Sequence, residues 1–349
     1  MSDRMAPPTH EATQEPTPRP PVPLDTRTTG RRVLELVERY ALVLLLILVA
    51  VFFAVYPGTA GTFPTVANAR NIAANEAILA IAAFAALIPL VAERFDLSVG
   101  ATVSLSSIAA AKILTEMNLP LYVGVLAGVV LGLVVGLING FLIAYLKANS
   151  LVITLGMSTV LLGIGTLWTG SLTLLGVPDT LTSFANGAFL GVPWPAWLLI
   201  IMAMITAAVL GLTVFGRQVL SIGSNESAAH LVGMPVARTI LIAFAASGAL
   251  AGLAGVLLLA RTGSAAAGVG AGYTLPALAA IFLGSTTIKP GRFTVAGTLV
   301  GVFFVAISIN GLTLAGAQDW VEPVFNGAAV VIAVSAAALL RNRREGTAR

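Results

Sequence analysis

The sequence contains no cysteine, which excludes disulfides, thiolate metal sites and a cysteine nucleophile. Histidine occurs twice, at His10 and His230, too sparsely for a histidine metal cluster, so no metal site is expected. Lysine occurs at 112, 147 and 289 only, and none of the three follows a glycine. The Gly-Lys-Ser/Thr step of a P-loop is therefore missing, and any energy from ATP has to come from a partner chain. No cofactor is expected. The glycines at 268, 270 and 272 form a weak G-x-G-x-G, but they follow an apolar run and open no βαβ unit, so they read as flexible loop.

Charge is scarce as well. Asp, Glu, Lys and Arg make up 10% of the 349 residues, against about 25% in a soluble domain, while 57% are apolar and the mean hydropathy is +0.96. Twelve charges sit in the first 40 residues and five in the last nine, leaving 17 for the 300 between, too few to cover a surface that faces water. The composition predicts an all-α, polytopic transmembrane helical bundle whose solvent is the lipid bilayer. The net charge of +4 does not point to nucleic acid: between the tails nine Lys and Arg face eight Asp and Glu, and the excess lies at the termini, where it biases orientation.

Three regions follow. Residues 1–39 hold seven prolines from Pro7 to Pro23 and read as a disordered cytoplasmic tail, ending in a short interfacial helix at Arg31 to Arg39. Residues 40–340 form the membrane domain, and 341–349 a basic cytoplasmic tail. About ten spans can be counted: 40–57, 73–91, 97–116, 121–146, 150–170, 194–215, 239–260, 274–285, 293–316 and 322–340. The stretch 274–285 is too short to cross alone at 1.5 Å per residue and reads as broken or re-entrant. Basic residues in both tails, with Arg217 and Arg238 in the loop 216–238, put both termini in the cytoplasm; Arg70 and Arg261 fall on the other side and are exceptions.

The fourth span carries Gly124, Gly128, Gly132, Gly136 and Gly140, a spacing of four that lines one helix face and suits close helix packing. Glu76, between Asn71, Asn75 and Ile78, is either an interfacial carboxylate or a functional one deeper in its span. The segment Glu93 Arg94 Phe95 Asp96 Leu97 Ser98 reads either as a tight turn with a capping Asp or as a helix break along a solute path. A second break, from Leu283 to Phe293, is again marked by Gly and Pro. Glu76, Asp96 and Ser98, with Asn310 in the ninth span, are the candidate path residues. In the loop before Pro235, Asn225 caps a short helix, Glu226 suits its first turn and Gly233 stops it, so Asn225, Glu226, Ala228, Ala229 and Gly233 read as a docking element.

Phe95 to Gly100 (FDLSVG), Ser221 to Gly233 (SIGSNESAAHLVG), Ser247 to Gly255 (SGALAGLAG) and Gly291 Arg292 followed by Gly297 Thr298 Leu299 together resemble the ribose-type permease subunits of bacterial ABC sugar importers, over about residues 65–340. The resemblance implies an inner-membrane permease importing a small polar solute such as a monosaccharide. It further implies a partner ABC ATPase docked at Asn225 to Gly233, a periplasmic solute-binding protein, and a second permease subunit forming a homodimer. Two segments depart from the family pattern: Ala92 to Phe95, and Ile288 Lys289 Pro290, which stand where the family has glycines. The added charge leaves room for a solute more polar or more acidic than a neutral pentose. The competing reading is a cation-coupled secondary transporter using Glu76, Glu93 and Asp96 as protonated carriers. A membrane-embedded enzyme ranks third, for want of a nucleophile and base.

Overall fold

The computed structural model describes residues 29–346, so the Pro-rich segment 1–28 lies outside the described residues, as do 347–349. Ten apolar helices follow the ten expected spans: α1 (Thr29–Val55), α2 (Val66–Val91), α3 (Val99–Thr115), α4 (Leu121–Ala144), α5 (Ser150–Thr169), α7 (Trp194–Leu212), α10 (Val236–Thr262), α11 (Thr274–Gly284), α12 (Val295–Leu314) and α13 (Val321–Gly346). Three short helices lie between spans: α6 (Asp179–Asn186), α8 (Val214–Ser224) and α9 (Glu226–Leu231). Among the described residues, β structure is limited to an isolated Leu174–Ala265 bridge and one antiparallel pair, β1 (Ala188–Phe189) with β2 (Val192–Pro193). Six helices are long and apolar enough to cross a membrane on their own: α2, α4, α5, α7, α10 and α12. The last helix continues to Gly346, so residues 341–346, assigned to a tail from sequence, are helical.

The centre of the bundle is α2. Every residue from Ala77 to Val91 is buried, and six of those fifteen are alanine, which lets neighbouring helices approach closely. A helix that is apolar all round belongs inside a bundle. It packs against α7, α10, α11 and α12. By contrast α5 turns Leu151, Val152, Leu155 and Leu167 outward, an apolar surface that fits lipid.

The glycine row of α4 meets α10. A Cβ on Gly132 would collide with the Gly248 carbonyl, one on Gly136 with that of Phe244, and one on Gly248 in turn with Gly132. Gly140 faces Leu241, Gly128 faces Val256 and Ser106, and Gly124 faces Leu114 of α3. The crossing therefore brings backbone against backbone, where dispersion and weak Cα–H contacts take the place of a hydrophobic drive.

The crossing at 274–285 is assembled from pieces. After α10 the chain bridges to Leu174, makes a 3-10 turn at Val269–Tyr273 against α3, and completes its passage with the eleven residues of α11. The passage and α3 satisfy each other's backbone: Gly270 N donates to Ser104 Oγ of α3 at 2.7 Å, and Gly100 N of α3 donates to Thr274 Oγ1 at 3.2 Å. Irregular backbone at membrane depth is tolerated where protein supplies such partners.

Candidate functional site

At one end of the bundle the chain leaves α7 and builds two short helices. Thr213 Oγ1 accepts from Gly216 N to start α8, and Asn225 Oδ1 accepts from Ala228 N at 2.9 Å to start α9. Gly233, at φ +77°, lets the chain reverse after α9, and Met234 N donates to Ala229 O. Ala229 is buried in the core, so it anchors the helix, while Ala228, Leu231 and Val232 are exposed. Leu231, at 89% exposure, is an apolar side chain that none of the described residues covers.

Beside α9 lies the break between α2 and α3. Glu93, at φ +56°, ends α2 in the left-handed conformation. Arg94 then reaches across to Glu226, with Nη2 and Oε2 2.5 Å apart. The added charge of this segment thus serves α9. Behind the ion pair, Asp96 is buried and accepts from Ser98 N at 3.0 Å, Ser98 Oγ at 2.6 Å and Ser247 Oγ of α10 at 2.9 Å. Asn139 of α4 donates to Ser98 Oγ at 2.9 Å, and Thr154 of α5 accepts from Leu97 N at 3.0 Å. Six residues thus tie α4, α5 and α10 to the segment that holds α9. Polar groups buried at membrane depth require such partners.

The second break adjoins the first. The Phe282 ring lies tilted against Phe95, centroids 6.3 Å apart, and edge-on to Phe293 at 5.6 Å. Ile288 sits at φ +59° and is pinned to α1: its N–H donates to Arg39 O at 2.9 Å, and Arg39 Nε donates to its carbonyl at 2.7 Å.

About 30 Å away along α2, its N-terminal turns border two adjoining cavities that share Asn71 and Asn310. The smaller, of about 240 Å³, is lined by Asn75, Glu76, Glu322 and Asn326 among others. The larger, of about 640 Å³, is lined by Arg70 and Arg261 together with Asn186 and the β1–β2 hairpin. Arg261 donates to Asn75 Oδ1 at 3.1 Å, to Asn71 Oδ1 at 2.9 Å and to Asn186 Oδ1. Arg70 donates to Gly191 O at 2.7 Å. Asn310 and Asn68 exchange hydrogen bonds in both directions.

The family model described as "Branched-chain amino acid transport system / permease component" matches residues 68–334. The chain belongs to this permease family. It is 37% identical to the probable ABC transporter permease protein YphD of Escherichia coli K12 over 86% of this chain and 90% of that protein. It is 32% identical to the ribose import permease protein RbsC of the same strain, over 88% and 96%. It is 28% identical to the L-arabinose ABC transporter permease protein AraH of Azospirillum brasilense, over 99% and 98%.

In this permease the four candidate path residues separate into two pairs. Glu76 and Asn310 line the cavities, whereas Asp96 and Ser98 lie in the buried network beside α9 and line neither. Asn225, Glu226, Ala228, Ala229 and Gly233 stay together in and around α9. Sequence reading missed Arg261, Asn186 and Asn326 as cavity residues. The signal for Arg261 was present: Arg70 and Arg261 are the exceptions to the charge bias, and both border the larger cavity. Asn186 lies in the 171–193 loop, where no period marks a site.

Proposed function

We propose that this chain is the transmembrane permease subunit of an ABC importer that carries a monosaccharide-class solute across the bacterial inner membrane. The relatives named for ribose and L-arabinose support that solute class. It works with a separate ATPase, a periplasmic solute-binding protein and a second copy of itself. The α9 end faces the cytoplasm together with both termini, and the cavities face the periplasm. Glu76 and Asn310 stand on the solute path; Asp96 and Ser98 act from behind it, on the helix break. Ala228, Leu231 and Val232 offer the ATPase an apolar docking patch, and Ala229, Asn225 and Gly233 hold that patch in shape.

One observation carries this reading: the Arg94–Glu226 ion pair joins the exposed, capped α9 to the end of the most deeply buried span, whose other end lines the cavities. Motion of α9 is thereby delivered to the helix that reaches the solute. Reconstitution tests it. Uptake into proteoliposomes that requires the ATPase, ATP and the binding protein is the expected result; uptake by the chain alone under a proton gradient supports the cation-coupled reading instead.

A further inference from the structure

The two faces of the β1–β2 hairpin meet different surroundings. Side chains alternate across a strand, so the cross-strand pair Ala188 and Pro193 takes one face and Phe189 the other. Ala188 and Pro193 line the larger cavity, and Arg70 of α2 holds the turn beside them by donating to Gly191 O at 2.7 Å. Phe189 instead stacks on Trp194, ring centroids 5.5 Å apart, and lies edge-on to Trp197 at 6.4 Å. Trp197 Nε1 donates to Phe189 O at 3.2 Å, so the indole N–H is satisfied within the patch. The turn itself is made by Leu190 at φ +52° and Gly191 at φ +80°. A two-residue turn with both φ positive favours Asn, Asp or Gly, and Leu suits it poorly. Leu190 nevertheless stands at the tip, 81% exposed. A large apolar side chain held out in a strained turn points to a surface outside the chain that it meets.

The patch does not end at the hairpin. Trp197 precedes Ile200 and Ile201 by one helical turn and Met204 and Ile205 by two, so all five share one face of α7. Those four aliphatic side chains are exposed, and α7 is apolar enough to span a bilayer, so this face meets acyl chains. The 19 residues of α7 rise about 28 Å, close to the hydrocarbon thickness of about 30 Å. Trp194, its first residue, is then level with the headgroup boundary, where tryptophan is favoured.

We infer that the hairpin is a lipid anchor: Phe189 and Leu190, backed by Trp194 and Trp197, rest in the headgroup–acyl boundary of the leaflet at the cavity end, while Ala188 and Pro193 wall the larger cavity. The occupant is lipid because the patch continues the acyl-facing side of α7, and because no charged residue occurs from Phe184 to Trp197 with which to select a protein partner. The bilayer thereby fixes one wall of the cavity, together with the Gly191 carbonyl that Arg70 grips. The inference needs only that α7 spans the bilayer, so it stands or falls apart from the transport reading.

The absence of cysteine makes the test direct. Leu190→Cys and Ala188→Cys each receive a nitroxide, in the full chain assembled with its ATPase partner in vesicles of phosphatidylethanolamine and phosphatidylglycerol. Collisions with oxygen, which concentrates among acyl chains, are compared with collisions with a water-soluble nickel chelate. The oxygen-to-nickel ratio is expected to be several-fold higher at Leu190→Cys than at Ala188→Cys, the cavity-side reference. Tryptophan fluorescence gives a second reading with the hairpin unaltered. In a chain carrying Trp168→Phe and Trp320→Phe, the remaining Trp194 and Trp197 should be quenched more by lipid brominated near the headgroup than by lipid brominated at the chain end. Nickel access at Leu190→Cys equal to that at Ala188→Cys places the tip in water and overturns the anchor, as does quenching that is absent or strongest from the chain end. Protection of Leu190→Cys from both reagents also overturns it and places protein on the patch: a second copy of the chain if the protection persists without added partners, a solute-binding protein if it requires one.

Discussion

Arg94 and Glu226 lie 132 positions apart in sequence and meet at 2.5 Å, which makes α9 and the break after α2 one mechanical unit. Their side chains are 30% and 39% exposed, so the pair contributes at most about 1 kcal/mol to stability. Glu226→Gln is accordingly expected to leave thermal unfolding within a few degrees of the parent while lowering solute imported per ATP hydrolysed. The charge-reversed pair, Arg94→Glu with Glu226→Arg, should recover part of the coupling. Coupling ratios in proteoliposomes check this, and an unchanged ratio in Glu226→Gln assigns the pair to structure alone.

Ser247→Ala removes one hydroxyl that donates to the buried Asp96 carboxylate. A buried acceptor left without one of its donors costs about 1–3 kcal/mol, and a loss of that size is expected in detergent-solubilised unfolding. Competition between solutes should be unaffected, because the network lines neither cavity. Altered competition in Ser247→Ala or Asp96→Asn places Asp96 on the path after all.

Gly132→Ala drives a methyl into the Gly248 carbonyl and forces α4 from α10, at a cost of about 1–3 kcal/mol for overpacking. Gly163→Ala on α5, with no atom within 4 Å of the added carbon, is the matched control and should be neutral or slightly stabilising. Equal melting temperatures for the two variants count against a close α4–α10 contact.

Ile288, a β-branched residue at φ +59°, stands in the second break between spans. Left-handed backbone costs a side-chain residue about 1–2 kcal/mol, and glycine gives back about 0.5–1 kcal/mol in unfolded-state entropy. Ile288→Gly is therefore expected to raise the melting temperature modestly. A fall indicates that Ile288 packing on α1 outweighs the strain.

Much of the bundle was legible because lipid simplifies the code: a run of about 20 apolar residues has few alternatives to a spanning helix, and the six helices long enough to span, with four shorter apolar ones, fall where the apolar runs do. Caps were legible for the same local reason. Asn225 bonds the N–H of a residue three positions on, so sequence and structure coincide there. The pathway was harder. Asp96 and Glu76 are both carboxylates beside apolar spans, yet one is enclosed by Ser98 and Ser247 and the other faces a cavity. The bond from Ser98 is local, but the one from Ser247, 151 positions on, and the cavity beside Glu76 are not written near either residue.

By itself the sequence determined the class of molecule, the number and order of its apolar helices, the capped turn at Asn225 and the row of small residues on α4, because each depends on composition or on spacing within one or two helical turns. Only the tertiary structure decided that Arg94 meets Glu226, that the α4 glycines meet Gly248, and that Arg261 reaches Asn71, Asn75 and Asn186. These contacts join segments separated by 75 to 190 positions, and packing in a bilayer, not local chain chemistry, selects which helices become neighbours.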